Sequence, residues 1–323
     1  MSARPSDPAL LIDEVIVDYH RKHMPQVRAV AGVTLAVHVG QVHGLVGESG
    51  CGKSTLARAA TGIVPVTSGT IEFGGQPVSP LSRRPRPRHF RRLQMVFQDP
   101  HASLNPRRSI GSQLTDVLKR AGGVPSTQRH ARIRELLEIV GIAPTAGERF
   151  PHEFSGGQRQ RICIARALAA DPIVIIADEP ISSLDASAQA QIANLLVSLT
   201  RDLDLGVLLI SHDLAIIQHV ADVVSVMYLG KVVESAPKRA LWSQPLHPYS
   251  EALLAAAPVH DGEGTLPQGL PGEIPDPARP PAGCRFHPRC KHAFEPCPTD
   301  EPPLDLITPD RSCACWLRTP PPA

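Results

Sequence analysis

Gly47-Glu-Ser-Gly50-Cys51-Gly52-Lys53-Ser54-Thr55 is the stretch on which the fold turns. It satisfies G-x-x-x-x-G-K-[ST], it follows an apolar strand at Val42 to Val46, and it leads into a helix over Lys53 to Thr61. Glycines let successive backbone N–H groups turn inward at a helix start, which makes a nest for an anion. Lys53 supplies a positive charge to the β- and γ-phosphates of a nucleotide, and the Ser54 hydroxyl is placed to ligate Mg²⁺. A glycine-rich turn with a chance lysine is the competing reading, and the strand-to-helix context disfavours it.

Two further stretches extend this reading. Ile173-Val-Ile-Ile-Ala177-Asp178-Glu179 is an apolar strand that ends in two acids, and α/β sheets bind ligands beyond such strand ends. Asp178 is expected to hold Mg²⁺ through its water shell, and Glu179 to polarise the water that attacks the γ-phosphate. Phe154-Ser155-Gly156-Gly157-Gln158-Arg159-Gln160-Arg161 opens a helix with a serine and two glycines. By itself that is an ordinary N-cap; beside a phosphate loop it reads as a second anion-binding helix start.

Around these motifs, short apolar strands alternate with helical stretches from about Leu10 to Ala236, the pattern of a mixed α/β domain with a largely parallel sheet. Strands are expected at Gln94 to Phe97 and Val207 to Ile210, and helices at Ile133 to Val140 and Arg159 to Ala170. Gln98 to Ser155 reads as a mostly helical subdomain. Arg83 to Arg92 holds six arginines and reads as a solvated loop rather than a phosphate or lipid contact.

Composition limits the alternatives. The 323 residues suit one large domain with an appendage or two modest ones, and 42% hydrophobic content suffices for a sizeable core. A net charge of +2 argues against nucleic acid as the main partner. No apolar run approaches the ~18–20 residues that span a bilayer, and Met1 to Pro8 has no signal-peptide core. A cytosolic chain is expected, with any membrane role needing separate membrane-spanning partners.

In these residues the chain resembles the nucleotide-binding subunits of ABC transporters, over about residues 10 to 240. Gly47 to Ser54 resemble that family's Walker A motif, Ile173 to Glu179 its Walker B motif, and Ser155 to Gln158 its signature, with Phe154 where leucine is commoner. Gln98 fits the Q-loop, Ser183-Leu184-Asp185 the D-loop, and His212 the switch histidine; Tyr19 is the aromatic candidate for stacking on adenine. The resemblance implies a P-loop NTPase cassette of ABC type, with a mixed, largely parallel α/β sheet core and a helical subdomain at about 99–165. It also implies ATP and Mg²⁺, the ion held by Ser54, Gln98 and Asp178, with Glu179, His212 and Gln98 carrying catalysis. ATP is implied to contact Tyr19, Gly47, Glu48, Ser49, Gly50, Cys51, Gly52, Lys53, Ser54, Thr55, Asp178 and Asp185. Ser155, Gly156, Gly157 and Gln158 are implied to act in trans, in a head-to-tail dimer that sandwiches ATP and drives a permease.

Within that family the likeness is to importers of dipeptides and oligopeptides. It rests on Gly47 to Arg58, on Gln94 to Pro100 with Ala102 to Pro106, on Pro151 to Arg161, and on Pro245-Leu-His-Pro-Tyr249. Nickel and glutathione importers share the branch and stay open. A soluble ABC ATPase of DNA repair or the ribosome is disfavoured by the single cassette, and an exporter ATPase by the His-Pro-Tyr element. The implied partners are a second ATPase subunit, a paralogue rather than an identical copy, two transmembrane permease subunits and, indirectly, an extracytoplasmic substrate-binding protein. The implied place is the cytoplasmic face of the membrane.

Residues 1–240 thus read as the nucleotide-binding domain and 241–323 as an extension, with a Pro- and Gly-rich linker from Pro258 to Pro281. Five of the seven cysteines fall in the extension. Cys284, Cys290, Cys297 and Cys315, with Cys313 as the alternative fourth, supply soft ligands for an iron–sulfur cluster or a zinc ion, or are packed free thiols. Their spacing matches neither ferredoxins nor zinc ribbons. The resemblance favours [4Fe–4S], since peptide-importer ATPases with such tails can hold one. Nothing places the cluster near the ATP phosphates, so its role is expected to be structural.

Overall fold

The computed structural model describes residues 7–20, 26–82, 86–182, 184–256 and 272–318. Ser183 of the D-loop segment and much of the linker therefore lie outside the described residues. In chain order the strands are β1 (Leu10–Tyr19), β2 (Val27–Val37), β3 (Val42–Val46), β4 (Ser68–Phe73), β5 (Gln76–Pro77), β6 (Leu93–Val96), β7 (Val174–Asp178), β8 (Gly206–Ile210), β9 (Val223–Tyr228), β10 (Lys231–Pro237), β11 (Asp305–Thr308) and β12 (Arg311–Cys313). The helices are α1 (Lys53–Ala60), α2 (Pro100–Ser103), α3 (Ile110–Ala121), α4 (Arg129–Ile139), α5 (Gly156–Leu168), α6 (Ala186–Asp202), α7 (Leu214–Val220), α8 (Lys238–Ser243) and α9 (Pro248–Ala255).

Among the described residues the strands form two sheets. The larger runs β11-β12-β10-β9-β3-β8-β7-β6, and its pairs from β9 through β3, β8 and β7 to β6 are parallel. Strands β3, β7 and β8 are buried at every position, which is why their sequences are apolar runs without alternation. The smaller sheet, β2-β1-β4-β5, is antiparallel. Its long strands alternate, with Val30, Val33, Leu35 and Val37 inward, and it packs with α1 into one core. The strand–helix alternation of the sequence does not distinguish this second sheet, because period-two burial in β1 and β2 is interrupted by register shifts at Val15 and Ile16.

The helical segment forms as expected. Ile110, Leu114 and Leu118 of α3 and Ile133, Leu136 and Leu137 of α4 bury one face each against α5. Ser109 caps α3 by accepting from the Ser112 N–H. Of the arginine-rich segment, residues 86–92 are described: Arg86 lies over the Phe90 ring, and Arg92 pairs with Asp171 while both side chains stay exposed. The C-terminal segment is no detached appendage either, because β12 adds to the main sheet by antiparallel pairing with β10 at Glu234 and Ser235. No helix among the described residues is long and apolar enough to cross a membrane.

Candidate functional site

The phosphate loop sits between β3 and α1, and its glycines are required by space as well as by torsion. A Cβ on Gly47, at φ 153°, would stand 2.1 Å from the Met227 carbonyl oxygen; one on Gly52, at φ 110°, would stand 2.1 Å from that of Ala29. The Lys53 side chain is buried over the loop, donating to the carbonyls of Gly47 at 2.8 Å and Glu48 at 2.9 Å. Ser49 and Gly50 are exposed at the loop's crest. Cys51 is buried, and burial pushes its thiol up against the opposing pull of Lys53. Tyr19 reaches the start of α1, its hydroxyl 3.4 Å from the Thr55 hydroxyl, with its ring partly exposed.

Strand order assembles the acidic side of the site. Gln98 follows β6, Glu179 follows β7 and His212 follows β8, three adjacent parallel strands in register at Val96 with Ala177 and Asp178 with Ile210. Their C-terminal ends therefore emerge side by side, about 4.8 Å apart per strand. Gln98 Nε2 donates to Glu179 Oε2 at 3.2 Å, and His212 Nδ1 lies 3.3 Å from the same oxygen. Glu179 adopts φ 46°, a left-handed conformation that costs a side chain of order 1–3 kcal/mol. Its N–H, bonded to the Ile210 carbonyl at 3.0 Å, holds it there. One residue earlier, Asp178 accepts from the Ser54 hydroxyl at 2.8 Å, so β7 is tied to the phosphate loop. Burial raises the Asp178 carboxyl's pKa, opposed by the Ser54 bond and the charge of Arg58.

The signature segment is a well-formed helix start. Ser155 Oγ accepts from the Gln158 N–H at 3.3 Å while Gln158 Oε1 accepts from the Ser155 N–H at 3.0 Å. Gly156 and Gly157 let α5 approach the start of α6 and the residues just before it, where a Cβ would meet Leu184 and Ala188 at 3.2 and 3.1 Å. None of these described contacts reaches the phosphate loop of the same chain. Asp185 caps α6 by accepting from the Ala188 N–H at 2.9 Å.

Sequence reasoning missed the far side of the loop. The N–H of Glu48 donates to the Tyr249 hydroxyl at 3.0 Å, and its carboxylate is gripped by Arg289 at 2.8 and 3.0 Å. The tail thus reaches the phosphate loop itself, a link that the sequence does not signal. No local signal marks Arg289; its neighbours in the chain are a proline and a cysteine. The tail cysteines are all free thiols, and among the described residues no three His, Cys, Asp or Glu side chains are arranged to hold a metal ion.

Comparison with known proteins agrees with this geometry. The sequence profile of the family described as "ABC transporter" matches residues 30–182, and that described as "Oligopeptide/dipeptide transporter, C-terminal region" matches residues 233–297. The chain is 44% identical to a probable peptide ABC transporter ATP-binding protein, y4tS, of Sinorhizobium fredii, over 98% of this chain and 91% of the relative. It is 46% identical to the di/tripeptide transport ATP-binding protein DppF of Pseudomonas aeruginosa, over 90% of each. Among solved structures it is similar to the ATP-binding cassette MJ0796, a dimer bound to ADP and Pi, with a TM-score of 0.62 and 25% identity over 71% of this chain and 99% of that one. With near-complete coverage at this identity, the chain belongs to the ATP-hydrolysing, ATP-binding subunits of the peptide-importing ABC transporters.

Proposed function

We propose that the chain is one half of a head-to-tail ATPase pair that powers peptide import, with ATP held between the phosphate loop of one subunit and the signature helix of the other. The observation that carries this is the convergence of Gln98 and His212 on the single carboxylate of Glu179, one residue from the Asp178 that binds Ser54. The loop amides of Gly47 to Thr55 and the Lys53 ammonium receive the phosphates, and the partly exposed ring of Tyr19, beside Thr55, is the one we assign to stack on adenine. Ser54, Asp178 and Gln98 carry the oxygens for Mg²⁺, which supplies charge neutralisation at the phosphates. Glu179 accepts the proton of the attacking water, and His212 and Gln98 fix its carboxylate. The exposed cap of Ser155 to Gln158 has its contacts within its own helix start and with α6, which suits service to a partner's nucleotide; the dimeric, ADP- and Pi-bound relative supports that arrangement. Asp185, the cap of α6, is assigned to the same nucleotide.

The partners in this reading are two membrane-spanning permease subunits, a second ATPase, a paralogue in preference to a copy, and an extracytoplasmic binding protein that delivers the peptide. The chain would sit on the cytoplasmic face, with residues 1–240 as the motor domain and 241–323 as the importer-type, Cys- and Pro-rich extension. Co-purification with permease subunits, followed by peptide-stimulated ATP hydrolysis in vesicles containing the binding protein, tests it. ATPase activity that no peptide stimulates, or isolation with ribosomes or DNA in place of permeases, would refute it.

We infer in addition that Cys284, Cys290, Cys297 and Cys315 form the ligand set for a [4Fe–4S] cluster, with zinc as the alternative occupant. What supports this reading is the donor chemistry of four soft thiols within one short segment; as they stand, the side chains do not form a metal-holding group among the described residues. Burial pushes Cys284 up to about 11, and its three neighbours' charge adds to this. A soft cation would relieve both effects.

A further inference from the structure

Glu48 has every polar group taken by a different part of the chain. Its carbonyl accepts from Lys53 inside the loop at 2.9 Å. Its N–H donates to a hydroxyl 201 positions further on, at Tyr249. Its carboxylate oxygens each accept one prong of a guanidinium 241 positions further on, at Arg289, a side chain only 3% exposed against 13% for Glu48. The two outer partners are themselves locked together. Arg289 Nη1 lies 3.4 Å from the Tyr228 hydroxyl; the rings of Tyr228 and Tyr249 stand 4.6 Å apart, and Phe286 stands 5.3 Å from each. The Tyr249 N–H in turn donates to His247 Nδ1 at the start of α9.

A buried ion pair is a poor way to gain stability, since desolvating two charges costs several kcal/mol per ion and a hydrophobic substitute often does as well. A two-pronged guanidinium grip does fix a carboxylate in position and angle. Glu48 lies between Gly47 and Gly50, both in the positive-φ region, in the stretch of backbone with the least intrinsic preference for one conformation.

We propose that Arg289 and Tyr249 are positioning residues of the ATP site: the C-terminal extension holds the phosphate loop in its binding conformation and so sets nucleotide affinity. The proposal rests on the reading of Gly47 to Thr55 as the nucleotide phosphate site. Releasing Glu48 lets the loop sample other conformations, and apparent affinity falls in proportion to the fraction that stays competent. If that fraction is a tenth, the dissociation constant rises about tenfold.

The test is calorimetric titration of MgADP into the full-length chain, alongside its melting temperature. Arg289→Met is expected to weaken binding about tenfold, and Arg289→Lys, which keeps the charge but not the fork, to fall between Arg289→Met and wild type. The double variant Glu48→Gln with Arg289→Met removes the stranded buried carboxylate. It is expected to recover melting temperature while affinity stays low, which separates positioning from stability. Lys291→Ala, which breaks the tail's exposed pair with Glu251, is expected to bind as wild type. Arg289→Met binding within twofold of wild type would overturn the proposal, as would a double variant that recovers affinity together with stability. Lys53→Ala distinguishes the two readings. If it binds MgADP normally, the phosphate-loop assignment itself is wrong; if it fails to bind while Arg289→Met binds normally, only the role of Arg289 falls.

Discussion

Replacing Glu179 by Gln isolates the chemistry from the rest of the site. The amide keeps the shape of the carboxylate and an oxygen that can still accept from Gln98 Nε2, now at 3.2 Å. What disappears is the charge and the capacity to take a proton. The altered contact with His212 contributes little to stability, because that imidazole is 57% exposed and even a charged exposed pair contributes only about 0–1 kcal/mol. The melting temperature should therefore stay within about 2–4 °C of wild type. The groups set for the phosphates, Lys53 with its bonds to Gly47 and Glu48 and Ser54 with its bond to Asp178, are untouched. A positioned general base contributes about 10²–10⁴-fold, so hydrolysis should fall by at least about a hundredfold, on the order of 3 kcal/mol of barrier. Phosphate release under single-turnover conditions reads the chemical step, and calorimetry on the same preparation reads ATP affinity. With its partner ATPase present, the ATP-bound pair should also accumulate, seen as an added subunit mass in chromatography. A variant that binds ATP normally and still releases phosphate within threefold of the wild-type rate would show that Glu179 is not the base.

Ser155→Arg should bind ATP normally yet leave its partner's site inactive; mixing it with Lys53→Ala should restore at most one working site per homodimer, and full activity of Ser155→Arg alone would contradict the sandwich. Protein purified without oxygen should be brown with close to four irons per chain, and Cys290→Ser should lose the colour while still binding ATP; one zinc or no metal would remove the cluster and leave the ATPase. His43, whose ring nitrogens lie between the Ala36 carbonyl and the Ser225 hydroxyl, has its pKa lowered by burial to about 4. The unfolded chain takes up that proton first, so the contribution to stability is full above about pH 6.5 and is lost on the way down to pH 4, on the order of 3 kcal/mol in all. His43→Gln should therefore show a flatter melting temperature between pH 7 and pH 5 than wild type; identical slopes would refute the assignment.

The sequence alone determined the pieces whose physics is local. The phosphate loop is legible because its torsions demand glycines at fixed positions; β7 because a fully buried strand must be apolar until the acids at its end; the start of α5 because Ser155 and Gln158 satisfy each other's N–H groups across a single turn. Tertiary structure decided what lies across long separations. Gln98, Glu179 and His212 meet because β6, β7 and β8 are neighbours in the sheet, an order set by how helices cross over and pack and not by any residue near the three. The antiparallel sheet of β1 and β2 was hidden by register shifts that break the alternation. The tail looked like an appendage because proline, glycine and cysteine carry no periodicity. Its pairing through β12 and its grip on Glu48 through Arg289 depend on long-range burial, which gathers distant polar groups into one place wherever the chain closes over them.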